Sequence, residues 1–118
     1  MEPNSRILVV DDEPQIRTLL SIVLPRAGYI VKTAQSGLVA IALLLVEHFD
    51  IVLSDVRMPG MDGHELVRWV ADHHPATRTA LMSGFDGIEK REIPECPSIA
   101  KPFRSSEVVS FVDRVLAA

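Results

Sequence analysis

The sequence predicts a doubly wound α/β fold, a parallel sheet with helices on both faces. Short β-rich apolar runs alternate with longer helical stretches along the chain, the pattern of five successive βα units. The first run, Ile7-Leu8-Val9-Val10, is continuously apolar rather than alternating, as expected of a strand covered on both faces. Four runs also end in a polar signal: Asp11-Asp12, Asp55, Ser83 and Lys101. Open parallel sheets gather the carboxyl ends of their strands along one edge, and ligands bind there.

In chain order, residues 6–10 form the first strand. A helix follows from about Pro14, which suits a first turn, with Ile16, Leu19, Leu20 and Val23 on one face. Pro25 weakens its last turn by removing a backbone donor, and Gly28 supplies the stop. Residues 29–33 make the second strand, and Ser36 caps a helix running to about His48. Residues 50–54 form the third strand, followed by the loop Pro59-Gly60-Met61-Asp62-Gly63 and a helix over 65–73. The fourth strand spans 78–82. Pro94 confines a fourth helix to little more than 86–92, because proline blocks continuation. Residues 97–100 make a short fifth strand, and 105–116 a closing helix with Val108, Phe111, Val112 and Val115 facing inward.

Bulk composition narrows the function. At 118 residues the chain suits one domain with a sizeable core. A hydrophobic content of 47% with 24% charged residues argues for a folded chain and against disorder. A net charge of −4 speaks against direct nucleic-acid binding, which needs a basic excess. Cys96 is alone, so an internal disulfide is excluded and a reducing cytoplasm is the expected setting. The first five residues show no secretory signal, and the most apolar stretch, 38–46, is too short to span a bilayer.

Three carboxylates, one hydroxyl and one ammonium at a single sheet edge are the parts of a site for Mg²⁺ and a phosphoryl group. Mg²⁺ takes oxygen ligands, usually one or two carboxylates with waters and phosphate oxygens, and Asp12 and Asp55 can supply the carboxylates. Asp55 can attack phosphorus to form an acyl phosphate. Lys101 can neutralise charge growing on the phosphoryl oxygens, and the Ser83 hydroxyl can donate to one of them. Each residue has a blander reading: Asp11-Asp12 as a helix cap, Asp55 as a turn residue, Ser83-Gly84 as a loop dipeptide, Lys101 as a solvated strand end. Together these require four coincidences at one edge. His48, His64, His73 and His74 lack metal-ligand spacing and read as solvated histidines; Trp69 reads as a partly buried helix residue.

The runs Ile7-Leu8-Val9-Val10-Asp11-Asp12-Glu13, Asp55-Val56-Arg57-Met58-Pro59-Gly60-Met61-Asp62-Gly63 and Lys101-Pro102-Phe103, in order and with Ser83 between the last two, resemble the signatures of response-regulator receiver domains. The similarity covers essentially residues 1–118 as one receiver domain. It implies a flavodoxin-like five-stranded sheet in the order 2-1-3-4-5. It also implies a Mg²⁺ (or Mn²⁺) ion held by Asp12, Asp55, the Arg57 backbone carbonyl and, through water, Asp11. Asp55 is then the phosphoacceptor, with Ser83 transmitting the switch. The implied donor is a histidine kinase or histidine phosphotransfer protein. Such a domain assists its own phosphorylation and dephosphorylation and is not a turnover enzyme.

Two other classes compete. Haloacid-dehalogenase-type phosphatases also use a strand-end Asp, a Ser/Thr and a Lys, but carry a second Asp two residues after the nucleophile. Here that residue is Arg57, which cannot transfer protons near neutral pH, so the phosphoryl group should persist. The other is a receiver-like binding module that accepts no phosphate, against which the intact acids and Lys101 speak. Receivers usually carry an aromatic residue three positions before the lysine; here Ser98 stands there, so an aromatic toggle is missing. Arg57 and Phe85 flank the expected path of attacking water and should slow hydrolysis by their bulk. The second helix has no charge from Leu38 to Val46. If Ala40, Ile41 and Leu44 face the core, Leu38, Ala42 and Leu45 form an outer apolar stripe suited to an output partner or a homodimer.

Overall fold

The computed structural model describes residues 4–84 and 96–118. Five parallel strands, β1 (Arg6–Val10), β2 (Ile30–Ala34), β3 (Ile51–Asp55), β4 (Arg78–Ser83) and β5 (Ser98–Ala100), form one sheet in the order β2-β1-β3-β4-β5. The helices α1 (Pro14–Arg26), α2 (Gly37–Leu44), α3 (Gly63–His73) and α4 (Ser105–Ala117) cover it. The doubly wound parallel fold expected from the sequence is therefore present. The helix expected over 86–92, and Phe85 and Pro94 with it, lies outside the described residues.

Alternation along β1 shows why its sequence is apolar throughout. Ile7 and Val9 enter a core with Leu20 and Leu24 of α1 and Val108, Phe111 and Val112 of α4. Leu8 and Val10 enter a second core with Ala40 and Leu44 of α2 and Leu66 and Val70 of α3. All four β1 residues are fully buried, as a strand between two helical layers must be.

Local chemistry sets the ends of the helices. α1 tolerates Pro25 in its final turn and closes in a Schellman motif: Gly28, at φ +99°, donates to the Pro25 carbonyl and Tyr29 to that of Leu24. That closure moves the second strand one residue later than expected, to Ile30–Ala34. Ser36 caps α2 as expected, accepting from the Val39 N–H at 3.2 Å. α2 stops at Leu44, short of His48. Val46 and Glu47 both donate back to the Leu43 carbonyl in a closing turn. Glu47 is then held by Arg6 and Lys32, and His48 by Asp50, which commits the chain to β3. α3 opens two residues earlier than expected because Asp62 and Glu65 form a reciprocal capping box.

The apolar residues of α2 and of the turn that closes it divide between core and surface. Ala40 and Leu44 are buried, whereas Leu38, Leu45 and Val46 are 71%, 68% and 77% exposed. Among the described residues no helix is long and apolar enough to cross a membrane.

Candidate metal and phosphoacceptor site

The register of the sheet brings the strand-end residues together. Val10 lies opposite Ser54, so Asp11 and Asp55, each the next residue, leave neighbouring strands at one level. Asp55 pairs with Met82 and Ser83 with Ala100, and the Lys101 N–H donates to the Ser83 carbonyl at 2.8 Å. All four polar signals thus reach the same edge.

Asp11 is fully buried, Asp55 is 5% exposed and Asp12 is exposed. One carboxylate oxygen from each lies within 4.8 Å of those from the others. The Lys101 ammonium sits among them, donating to Asp11 Oδ2 at 2.7 Å and lying 3.4 Å from Asp55 Oδ1. Asp11 is anchored further: its Oδ1 accepts the Glu13 N–H at 2.9 Å and its backbone carbonyl accepts Arg17 Nη1 at 2.7 Å. Glu13, not Asp11 or Asp12, occupies the α1 N-cap, so helix capping does not account for the pair.

The electrostatics follow from that crowding. Burial first, and then the charge of Asp11, push the Asp55 carboxyl up to about 6, and Lys101 only partly offsets them. Burial alone would lower the Lys101 ammonium, but Asp11, Asp55 and Glu13 together hold it above its ordinary value. Three acids under mutual strain with oxygen donors only are a fit for a hard divalent cation, which favours the ionised carboxylates. Asp11, Asp12 and Asp55 could hold one.

Several supporting residues were not evident in the sequence. Ser54, fully buried on β3, donates through Oγ to the Asp55 carbonyl at 2.9 Å. Gly63 brings the start of α3 against the end of β3: its N–H donates to the Val56 carbonyl at 2.9 Å, and a Cβ there would stand 2.3 Å from the Asp55 carbonyl oxygen. Arg17 lies one helical turn after Glu13, a spacing that gives no hint of its bond to Asp11. Glu13 was visible only as part of the Asp11-Asp12-Glu13 run. A cleft of about 420 Å³ opens beside Lys101, bordered by Glu13, Ile16, Leu19, Gly84 and Phe103.

Other sequence expectations fare unevenly. Arg57 is exposed and Ser83 half-buried at the end of β4. Ser98 is an exposed strand residue opposite Leu81, so the aromatic position is filled by a small polar side chain. The histidines are not uniformly solvated. His48 is exposed beside Asp50, and the exposed His73 stacks on Trp69 with ring centroids 4.4 Å apart. His64, however, is half-buried, with both ring nitrogens enclosed and without a hydrogen-bond partner among the described residues. It follows Gly63, whose tight approach to β3 draws the first turn of α3 inward.

Residues 7–113 match the family model described as the response regulator receiver domain. The chain belongs to this family. The receiver is 33% identical over 117 residues to sporulation initiation phosphotransferase F of Bacillus subtilis, covering 96% of this chain and 94% of that protein. It is 34% identical over 116 residues to the regulatory protein AtoC of Escherichia coli, covering 95% of this chain but only 25% of AtoC. Among solved structures, the receiver superposes on the response regulator TrrA of Thermotoga maritima, determined in complex with Mg²⁺-BeF, with a TM-score of 0.85 and 29% identity over 94% of this chain and 98% of that one. Like other receivers it is a phosphoacceptor of two-component signalling; receiver domains as a class are signalling domains rather than classical turnover enzymes. Receivers as a class work with histidine kinases and phosphotransfer proteins.

Proposed function

We propose that the receiver accepts its phosphoryl group on Asp55. The observation that carries this is the placement of Asp55: nearly buried at the end of the central strand β3, with Asp11 and Asp12 on one side and the Lys101 ammonium 3.4 Å away. A carboxylate oxygen of Asp55 attacks phosphorus, the new O–P bond forms as the P–N bond of a phosphohistidine breaks, and the departing imidazole takes up a proton.

Asp12, Asp55 and the Arg57 backbone carbonyl would hold a Mg²⁺ (or Mn²⁺) ion, with Asp11 joined to it through water. When bound, that ion supplies positive charge to phosphoryl oxygens. The similarity to TrrA, itself determined with Mg²⁺-BeF, supports this choice of ion. Lys101 answers the charge gathering on the phosphoryl group, and the Ser83 hydroxyl donates to one of its oxygens. The hydrogen bond from the Lys101 N–H to the Ser83 carbonyl ties these two residues through the backbone. Arg57 lacks the acid that a phosphatase would use at its position, which supports a persistent phosphoryl group.

The donor in this reading is a histidine kinase or a histidine phosphotransfer protein, and the solitary Cys96 supports work in the cytoplasm. Ser98 supports an output that does not run through an aromatic rotamer, and the exposed stripe at α2 supports an output partner or a homodimer docking there. Acetyl phosphate with Mg²⁺ tests the central assignment. A mass gain located on Asp55 and lost in Asp55→Asn is expected; no gain, or an unchanged gain in the variant, would refute it.

A further inference from the structure

The Lys101 ammonium meets a third carboxylate that has no part in the chemistry above. Besides Asp11 and Asp55, it donates to Glu13 Oε1 at 3.3 Å. An ammonium has three donors; two are committed to Asp11 and Glu13, and Asp55 Oδ1 stands 3.4 Å away as an ion-pair contact. A phosphoryl oxygen arriving on Asp55 therefore competes for the ammonium with the carboxylates already gathered around it.

Burial indicates which one leaves. Asp11 is fully buried, and losing Lys101 would leave it without its nearest counter-charge, a severe penalty in that setting. Asp55 carries the arriving group itself. The Glu13 side chain is 46% exposed, so water can replace the ammonium there.

The position of Glu13 is also held in place. It occupies the N-cap of α1 at φ −84° and ψ 115°, yet its side chain makes no capping hydrogen bond. The carboxylate turns the other way. Oε1 takes Lys101, and Oε2 accepts Gln15 Nε2 at 2.9 Å.

We propose that Glu13 is a positioning residue that holds Lys101 in the unphosphorylated receiver and releases it to the phosphoryl group. Its contact with Lys101 thereby sets how readily the phosphoryl site fills. This rests on Asp55 being the acceptor.

Beryllofluoride, titrated with saturating Mg²⁺ and followed by amide NMR shifts, tests the inference in the wild type, Glu13→Gln and Glu13→Asp. Removing a partly exposed ion pair that competes with the ligand should tighten binding about two- to fivefold in Glu13→Gln. Glu13→Asp keeps the charge but is one methylene shorter, so it gives up the contact and should follow Glu13→Gln. Loss of a merely structural residue would weaken binding instead. Binding in Glu13→Gln equal to or weaker than wild type overturns the inference, as does Glu13→Asp behaving like wild type, since net charge rather than contact would then be at work. A wild type that binds no beryllofluoride overturns the Asp55 assignment, and this inference with it.

Discussion

Replacing Asp55 by asparagine should stabilise the metal-free receiver near neutral pH, because the native fold holds this carboxylate in a place that disfavours its charge. Asp55 is 5% exposed and sits beside Asp11 and Asp12. Burial, then Asp11, raise its carboxyl from 3.8 to about 6. At about 1.36 kcal/mol per pH unit, that rise corresponds to about 3 kcal/mol. The direction is that of a native value raised above the unfolded one. The stabilising contribution of protonated Asp55 is whole below 3.8, declines as pH rises through about 6, and is absent above it. Asparagine keeps the shape without the charge and so recovers most of that loss, in which the attraction of Lys101 at 3.4 Å is already counted. A gain of about 1–3 kcal/mol is expected near neutral pH. It should shrink towards zero as pH falls to about 4. Added Mg²⁺ should reverse the order, since a ligand that binds only the native wild type stabilises it, by about 4.1 kcal/mol at a thousandfold excess over Kd. Urea unfolding of both proteins, with chelator across that pH range and then with Mg²⁺, reads all of this. Equal stability of the two proteins in chelator near neutral pH, or a difference that ignores pH, would refute the reasoning.

Two further predictions concern the frame around the site. Gly63→Ala places a methyl group 2.3 Å from the Asp55 carbonyl oxygen and 2.9 Å from the Val56 Cα, both backbone atoms. It should lower the urea midpoint by the equivalent of about 1–3 kcal/mol, whereas an unmoved midpoint would mean that α3 can back away from β3 freely. Leu38→Glu with Leu45→Glu alters side chains that are 71% and 68% exposed, and folding stability should change by less than about 0.5 kcal/mol. Sedimentation equilibrium at high concentration should show self-association in the wild type and not in this double variant; two monomers would remove the α2 homodimer.

Much of the frame was legible along the chain because it depends on local chemistry and apolar pattern. The unbroken Ile7-Leu8-Val9-Val10 run announced a strand covered on both sides, and two separate cores meet it there. Ser36 announced the start of α2. The end of α2 was not legible. Leu45 and Val46 read as helix formers, and the turn after Leu44 is secured by Glu47 reaching Arg6 and Lys32, residues distant in sequence. The outer stripe of Leu38 and Leu45 was visible in the pattern, but its exposure was not, since exposure depends on what other elements cover.

By itself the sequence determined the order of strands and helices and the identity of the groups at the active edge. Asp11, Asp12, Asp55, Ser83 and Lys101 each follow an apolar run, and a parallel sheet carries such residues to one side whatever the details of packing. Only the tertiary structure decided how those groups share charge. That Asp11 is fully buried, that the Lys101 ammonium is shared among Asp11, Glu13 and Asp55, and that Gly63 brings α3 against the end of β3 are consequences of register and approach between separate elements. Electrostatic interaction varies with separation and with burial, and neither quantity exists until the strands are paired and the helices have closed over them.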